Sequence, residues 1–156
     1  MSVVIIAKRT NHVMKKTEEL LKTIQSCNLC KNYQDFISES RQELISVRKL
    51  GEAFQEILTQ KKLKKSDVIR NSGIDRGYAY DILSDKKQPS RDKVLLLCLG
   101  ASFSFEEVQT LLKQTGYPML YARIARDSAI IFAFRHHMSP IDTNELLYEL
   151  QFDLLS

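Results

Sequence analysis

Cys27 and Cys30 are spaced as CxxC, an arrangement that can bind zinc or carry out thiol–disulfide exchange. A structural zinc site needs two further thiolate or imidazole ligands at matching spacing. The only histidines of the chain are His12, His136 and His137, which lie far from this pair in the sequence. We therefore expect neither a metal site nor a redox site, and we expect no cofactor.

The cysteine count and the lengths of the apolar runs indicate the cellular compartment of the protein. Three cysteines, an odd number, argue against a disulfide framework, and Cys98 lies in an apolar run where a small buried side chain is expected. No stretch approaches the roughly 18 to 20 apolar residues that cross a bilayer, and residues 2–7 are too few for a signal-peptide core. These features predict a cytoplasmic protein without a membrane segment.

Motifs for catalysis are scarce. The chain has no Gly-rich phosphate loop, no HExxH, no GxSxG, and no histidine placed near both a candidate nucleophile and an orienting acid. His136 and His137 end a predicted helix, where a cation suits the negative end of the helix dipole. The acidic pairs Glu18-Glu19 and Glu106-Glu107 are explained by helix starts. We expect no enzymatic activity.

Positive charge is concentrated in one segment. The formal net charge is +4, but residues 61–93 contain ten lysines and arginines against five aspartates, a local net charge of +5. Such a segment either binds a polyanion such as nucleic acid or is an ordinary solvated surface. The ten cations are Lys61, Lys62, Lys64, Lys65, Arg70, Arg76, Lys86, Lys87, Arg91 and Lys93.

Helical periodicity dominates the chain, which has only five glycines and three prolines, so the predicted fold class is all-α. The hydrophobic fraction of 44% in 156 residues can fill a core. We expect four parts: an extension with little structure over 1–13, an N-terminal helical segment over 14–42, a core over 43–116, and a C-terminal helical extension over 117–156.

The predicted helices before the basic segment are three. Thr17 is expected to cap the first, and a short second helix is expected from Tyr33 to Glu39. A longer helix from about Glu43 to Lys62 would be the first helix of the core. Its apolar face would consist of Val47, Leu50, Phe54, Ile57 and Leu58.

The segment LKKSDVIRNSGIDRGYAYDIL, from Leu63 to Leu83, has the layout of a helix-turn-helix. Gly73 supplies the positive φ that ends the first helix. Asp75 can cap the second helix, which would run from Arg76 to about Leu83. Polar residues and a proline then predict a loop. The layout indicates duplex DNA as a partner.

Two further helices complete a five-helix core. Ser90 is expected to cap the first, which is apolar all round over 94–99 and would end at Gly100, so most of its sides must be buried. The second opens with the capping box Ser104 to Glu107 and would stop at Gly116.

A C-terminal helix pair is predicted from about Arg123 to His137 and from Ser139-Pro140 to Leu150, with the proline in the first turn. Its apolar surface either packs on the core or forms a homodimer contact.

A five-helix unit with this internal motif resembles the phage-repressor-like Xre/Cro family over about Leu44 to Thr115. The chain also resembles a Gram-positive bacterial subgroup that has a C-terminal two-helix extension. The resemblance implies a repressor-like core that binds duplex DNA sequence-specifically, commonly as a dimer, with the third core helix in the major groove. It implies a repressor rather than an activator. The stretches that carry it are KKSDVIRNSG, SDKKQPSRDKVLLL, EEVQTLLKQTGYPMLYARIARDSAIIFA and TNELLYEL.

The resemblance places base reading at Arg76, Gly77, Tyr80 and Asp81, near the front of that helix. Arg76 can donate two hydrogen bonds to a guanine edge, a contact worth roughly 1–3 kcal/mol of discrimination. Phosphate contacts are implied for Lys65 before the turn and for Ser84, Lys86 and Lys87 after the reading helix. Ordinary solvated surface is the alternative for these lysines.

Two features depart from the family pattern. Ile69 and Ala79 exchange the usual small and large residues, which we interpret as compensated packing. Asp81 stands where a neutral amide is common, and phosphates repel it unless it accepts from a cytosine amino group or pairs with Arg76. Gly77 removes one reading side chain and loosens the helix by roughly 1 kcal/mol. Asp81 and Gly77 both oppose tight binding of DNA.

A non-enzymatic protein-interaction module is therefore the alternative function. Tyr78 is expected to pack in the core and Tyr80 to be exposed, where it could contact a protein or single-stranded nucleic acid. In this alternative the C-terminal helices supply the protein contact, and the chain has no salt-dependent affinity for DNA.

Overall fold

The computed structural model describes residues 15–44 and 46–156, and every regular element in these ranges is an α-helix, which confirms the all-α prediction. None of these helices is both long and apolar enough to cross a membrane. The predicted extension over 1–13 lies outside the described residues. The helices are α1 (Thr17–Gln25), α2 (Cys30–Glu39), α3 (Leu50–Lys61), α4 (Lys65–Ser72), α5 (Arg76–Leu83), α6 (Arg91–Gly100), α7 (Phe105–Gln114), α8 (Ala125–Arg135) and α9 (Pro140–Glu149).

The chain divides into two compact units, one up to residue 45 and one from residue 46 onward. The first unit contains α1 and α2. Thr17 is the first helical residue of α1 and not its cap, because Lys16 is at the cap position and its N–H donates to Glu19 Oε2 at 3.3 Å. α2 begins at Cys30, three residues before the predicted start at Tyr33.

The prediction that the first core helix begins at Glu43 was wrong, because α3 begins at Leu50. The Arg48 N–H donates to the Gln114 carbonyl at 2.8 Å, and the Gly51 N–H donates to Asp85 Oδ1 at 2.8 Å. A longer helix would use these amides internally, so the tertiary hydrogen bonds replace its first turns. Val47 consequently lies ahead of the helix and is 66% exposed.

The core of the second unit is built around α6. Its residues 94–99 are all buried, as the continuous apolar run predicts. α6 ends at Gly100, as predicted, although Gly100 is itself the last helical residue and does not have a positive φ. A Cβ at Gly100 would lie 2.7 Å from the Ser72 N and 2.9 Å from the Val68 carbonyl oxygen. This glycine therefore allows α4 to pack directly against the backbone of α6.

The capping box of α7 forms as predicted. The Glu107 N–H donates to Ser104 Oγ at 3.1 Å, and Glu107 Oε2 accepts from the Ser104 N–H at 2.7 Å. Burial would raise the pKa of Glu107, but its hydrogen bonds to Ser104 and Lys61 outweigh burial and lower it. Gly116 follows the helix with φ +78°, the conformation that the predicted stop requires.

The C-terminal helices pack on the rest of the second unit. α8 lies against α7, and α9 lies against both α6 and α8. Ser139 Oγ accepts from the Asp142 N–H at 3.1 Å, and Pro140 occupies the first turn of α9, as predicted. α8 is two residues shorter at each end than the predicted range, within the usual variation of helix ends. The sequence left open whether the C-terminal helix pair packs on the core or forms a homodimer contact. In the described chain the pair packs on the core.

We expect Gly100→Ala to lower the free energy of unfolding by roughly 1–3 kcal/mol, because the added methyl group must push α4 away from α6. Urea denaturation followed by circular dichroism measures this change. Gly77→Ala is the matched control, since a Cβ there would meet only Asp75 Oδ1, at 3.5 Å. Gly77 is the exposed second residue of α5, so alanine there should raise the free energy of unfolding by at most about 1 kcal/mol. Wild-type stability of Gly100→Ala would contradict the close crossing.

Candidate nucleic-acid interface

The α4–α5 unit, residues 65–83, consists of two short helices joined by a tight turn. Gly73 has φ +72° and ends α4, and Asp75 Oδ1 accepts from the Tyr78 N–H at 3.0 Å and caps α5. Ser72 Oγ donates to the Ile69 carbonyl at 2.7 Å and accepts from the Ile74 N–H at 3.3 Å. The predicted positive φ at Gly73 and the predicted cap at Asp75 are both present, and the hydrogen bonds of the buried Ser72 stabilise the turn further.

One side of α5 is anchored in the core. Ala79 and Ile82 are fully buried, and Ile69 of α4 is buried as well. The exchanged sizes of Ile69 and Ala79 therefore fit without exposing either residue. Tyr78 packs against the core in a half-buried position, as predicted. This anchoring fixes which side of α5 meets solvent.

The solvent side of α5 presents Arg76, Gly77 and Tyr80. The Arg76 guanidinium carbon lies 5.8 Å from the centroid of the Tyr80 ring, which is 36% exposed, and the two side chains support each other. Arg76 has no ion pair with any carboxylate in the described part of the chain. Its hydrogen-bond donors are thus oriented by an aromatic ring and remain available.

Asp81 has a different partner from the one expected within the protein. Its Oδ2 lies 3.8 Å from Lys87 Nζ, and the structure does not pair it with Arg76. The Asp81 carbonyl oxygen accepts from the backbone N–H groups of Lys86 and Lys87, at 2.9 and 3.2 Å, and from Ser84 Oγ at 3.3 Å. The predicted phosphate contacts Ser84, Lys86 and Lys87 are therefore folded back on the last turn of α5, and Lys87 reduces the negative charge of Asp81.

Asp85 anchors the loop that follows α5, a role that the sequence reasoning missed. It has φ +60°, and its Oδ1 accepts from the Gly51 N–H at the start of α3. The positive end of the α3 dipole favours this carboxylate. A Cβ at Gly51 would lie only 2.4 Å from the Leu83 carbonyl oxygen, so the approach requires glycine. The available signal was an aspartate, which tolerates positive φ, directly after a helix end.

Two crossed ion pairs join the start of α6 to the start of α8, and they were also missed. Arg91 donates to Asp127 Oδ1 and Oδ2 at 3.1 and 2.7 Å, and Arg126 donates to both oxygens of Asp92 at 3.2 and 2.8 Å. Burial would raise the pKa of Asp127, but hydrogen bonds from Arg91 and the Tyr121 N–H, together with the charges of both arginines, lower it. The sequence contains two Arg-Asp dipeptides, at 91–92 and 126–127, but it does not show that each arginine pairs with the aspartate of the other dipeptide.

These pairs change the meaning of the charge count. Lys61 pairs with Glu107 at 3.1 Å, Arg70 pairs with Asp67 at 3.1 Å, and Arg91 pairs with Asp127. Lys61, Arg70 and Arg91 therefore have partners within the protein, so fewer cations are available to a ligand than the ten counted over residues 61–93. Cations without a carboxylate partner among the described residues are Lys62, Lys64, Lys65, Arg76, Lys86 and Lys93. Of these, Lys65 begins α4, Arg76 lies on the solvent side of α5, and Lys86 lies in the loop after α5.

Among the described residues, the remaining cysteine and histidine side chains are not grouped into a site. Cys27 Sγ donates to the Thr23 carbonyl at 3.3 Å, and the three cysteines are free thiols. Burial raises the pKa of the Cys98 thiol, which keeps it protonated. His136 caps the C-terminus of α8, and its ring lies 4.1 Å from that of Phe132. Over residues 15–44 and 46–156, no three cysteine, histidine or acidic side chains are grouped to hold a metal ion.

Comparison of the chain with protein-family models, curated proteins and solved structures gives no match.

Asp127→Asn should destabilise the fold by about 3 kcal/mol at neutral pH, because it leaves the Arg91 charge without its partner in a largely buried position. The pKa of Asp127 is lowered by folding, so its carboxylate stabilises the fold fully above the ordinary aspartate range and progressively less as the pH falls through the lowered value. The difference in unfolding free energy between wild type and variant should therefore shrink in acid.

Urea denaturation at several pH values measures this difference. Glu106→Gln is the control, because its pair with Arg135 is exposed and surface pairs contribute at most about 1 kcal/mol. A difference for Asp127→Asn that grows as the pH falls would contradict the assignment.

Proposed function

We propose that the α4–α5 unit is a DNA-binding helix-turn-helix and that the chain is a sequence-specific transcriptional regulator. The observation that carries the proposal is the two-sided character of α5. Its inner side is fixed in the core, while its outer side presents Arg76 over Tyr80, and neither Arg76 nor Lys86 in the following loop has a carboxylate partner among the described residues. An α-helix of this kind fits the major groove, where each base pair presents a distinct pattern of donors and acceptors.

Base reading is assigned to the outer side of α5. The planar guanidinium of Arg76 suits the O6 and N7 acceptors of guanine. Gly77 has no side chain, so the backbone of α5 can approach the base edges closely. Asp81, held by Lys87, can accept from a cytosine amino group, and Tyr80 supplies an apolar surface beside Arg76.

Phosphate binding is assigned to the two ends of the α4–α5 unit. No side chain caps the N-terminus of α4, and the backbone N–H groups of Lys65 and Ser66 donate to no group in the described structure. Free amides at the positive end of a helix, next to a lysine, favour an anion. Ser84, Lys86 and Lys87 supply a second contact at the far end of α5.

The regulator proposed here is a cytoplasmic protein that acts by binding alone, without catalysis or a cofactor, and by resemblance it is a repressor. A homodimer through the C-terminal helices stays a prediction. The alternative, a protein-interaction module with weak or no DNA binding, is favoured by one observation, the exposed apolar surface of α9. The two functions differ in whether the chain has salt-dependent affinity for duplex DNA.

Arg76→Ala should remove sequence preference. Selection from random duplexes identifies the preferred site, and fluorescence anisotropy then compares that site with an unrelated duplex. We expect the variant to lose about 1–3 kcal/mol of discrimination while it retains non-specific binding, because only a base contact is removed. Lys113→Ala is the control. It removes one cation from α7, whose main packing partners are α3 and α8. Equal losses in the two variants would contradict base reading by Arg76.

Lys86→Ala should weaken binding of all duplexes to a similar extent. Loss of one phosphate contact should reduce the slope of log affinity against log salt concentration by about 0.9 in magnitude. Anisotropy titrations at several salt concentrations measure the slope for wild type, Lys86→Ala and Lys113→Ala. An unchanged slope in Lys86→Ala would remove this residue from the interface.

A further inference from the structure

α9 and the C-terminal residues after it form an open groove, hereafter the α9 groove. Its volume is about 520 Å³, and its lining residues are Ile141, Asn144, Glu145, Tyr148, Glu149 and Leu154. The apolar members of this lining are unusually accessible, with Ile141 73%, Tyr148 76% and Leu154 43% exposed. Their contiguity distinguishes them from single exposed apolar residues, which need no explanation.

The far wall of the α9 groove is fixed in place. Asn144 donates to the Leu155 carbonyl at 3.1 Å and accepts from the Leu155 N–H at 2.8 Å, and Leu155 itself is buried. Arg126 donates to the carbonyl oxygens of Asp153 and Leu154, at 2.8 and 3.2 Å. The groove is therefore formed before any partner arrives, which lowers the entropic cost of binding.

The charged side chains that line the α9 groove have a single sign. Arg126, which holds the far wall, is paired with Asp92, and Arg70 and Lys93 line the adjacent cavity. Residues 140–156 include four carboxylate side chains and no lysine or arginine, in contrast to the basic segment 61–93. Glu145 and Glu149 line the groove itself. Nucleic acids and anionic lipid surfaces are repelled by such a surface.

A second copy of this chain is also a poor occupant of this groove, so the predicted homodimer through the C-terminal helices would use a part of their surface outside it. When two α9 helices pair about a two-fold axis, the middle of each exposed face meets its own copy. Glu145 lies between Ile141 and Tyr148 on this face, so the two Glu145 carboxylates would approach one another. Like charges placed together in an interface are destabilising.

We propose that the α9 groove binds a cationic amphipathic helix of another protein. The apolar face of that helix would cover Ile141, Tyr148 and Leu154, and its lysines or arginines would pair with Glu145 and Glu149. Tyr148 is the expected anchor, because an exposed tyrosine in a preformed groove contributes a large contact area. This interaction is independent of DNA binding by α5.

The full chain is titrated into a labelled synthetic helical peptide of about 14 residues, with leucines on one face and lysines on the other. Binding is followed by fluorescence anisotropy. We expect Tyr148→Ala to weaken binding roughly tenfold or more. Glu145→Gln should weaken it and reduce its salt dependence. Tyr121→Ala, which removes a tyrosine that is also exposed, should leave binding unchanged.

Two further peptides and a measurement of the oligomeric state by sedimentation can contradict the proposal. A scrambled peptide without an apolar face, and a peptide with glutamates in place of the lysines, should both fail to bind. Equal binding of either peptide, or equal losses in Tyr148→Ala and Tyr121→Ala, would overturn the proposal. So would a dimer in sedimentation that Tyr148→Ala dissociates, because a second copy would then be the occupant. Thermal unfolding of each variant verifies that it is folded.

Discussion

The close crossing of α4 and α6 is the constraint on which the α4–α5 unit depends. α6 is apolar on every side and must be covered, and α4 covers it at a distance that leaves no room for a Cβ at Gly100. Ser72 lies at this crossing and also hydrogen-bonds within the turn to α5. The position of α4 therefore sets the direction in which α5 leaves the turn, and with it the side of α5 that solvent reaches.

Carboxylates then hold the ends of this arrangement. Asp75 caps α5, Asp85 fixes the following loop to the start of α3, and Asp92 and Asp127 join the start of α6 to α8 through two arginines. Most of the aspartates in and around the basic segment thus satisfy groups of the protein itself. Lys65, Arg76 and Lys86 have no carboxylate partner among the described residues, which is the electrostatic basis for proposing a polyanion as the ligand.

Local signals in the sequence predicted much of this structure. The turn at Gly73, the cap at Asp75, the capping box at Ser104 and the buried character of α6 depend on neighbours within a few residues, and each is present. The start of α3 could not be predicted in this way, because it is set by hydrogen bonds from the Gly51 N–H to Asp85 and from the Arg48 N–H to Gln114, which are distant in sequence.

The same limit applies to the candidate site. The exposure of Arg76 and Tyr80 followed from helical spacing, but three contacts depend on side chains that meet only after folding: Arg76 over Tyr80, Asp81 with Lys87, and Arg91 with Asp127. For this reason the sequence located α5 and its exposed side, but it overstated the number of unpaired cations and considered Arg76, not Lys87, as an internal partner for Asp81.

Base reading by α5 in the major groove is tested most directly by guanine N7 methylation interference on the selected duplex, because N7 faces that groove. We expect at least one guanine whose methylation blocks binding of the wild-type protein but has no effect on the residual binding of Arg76→Ala. Binding by the wild-type protein that is indifferent to N7 methylation throughout the site would contradict base reading by α5.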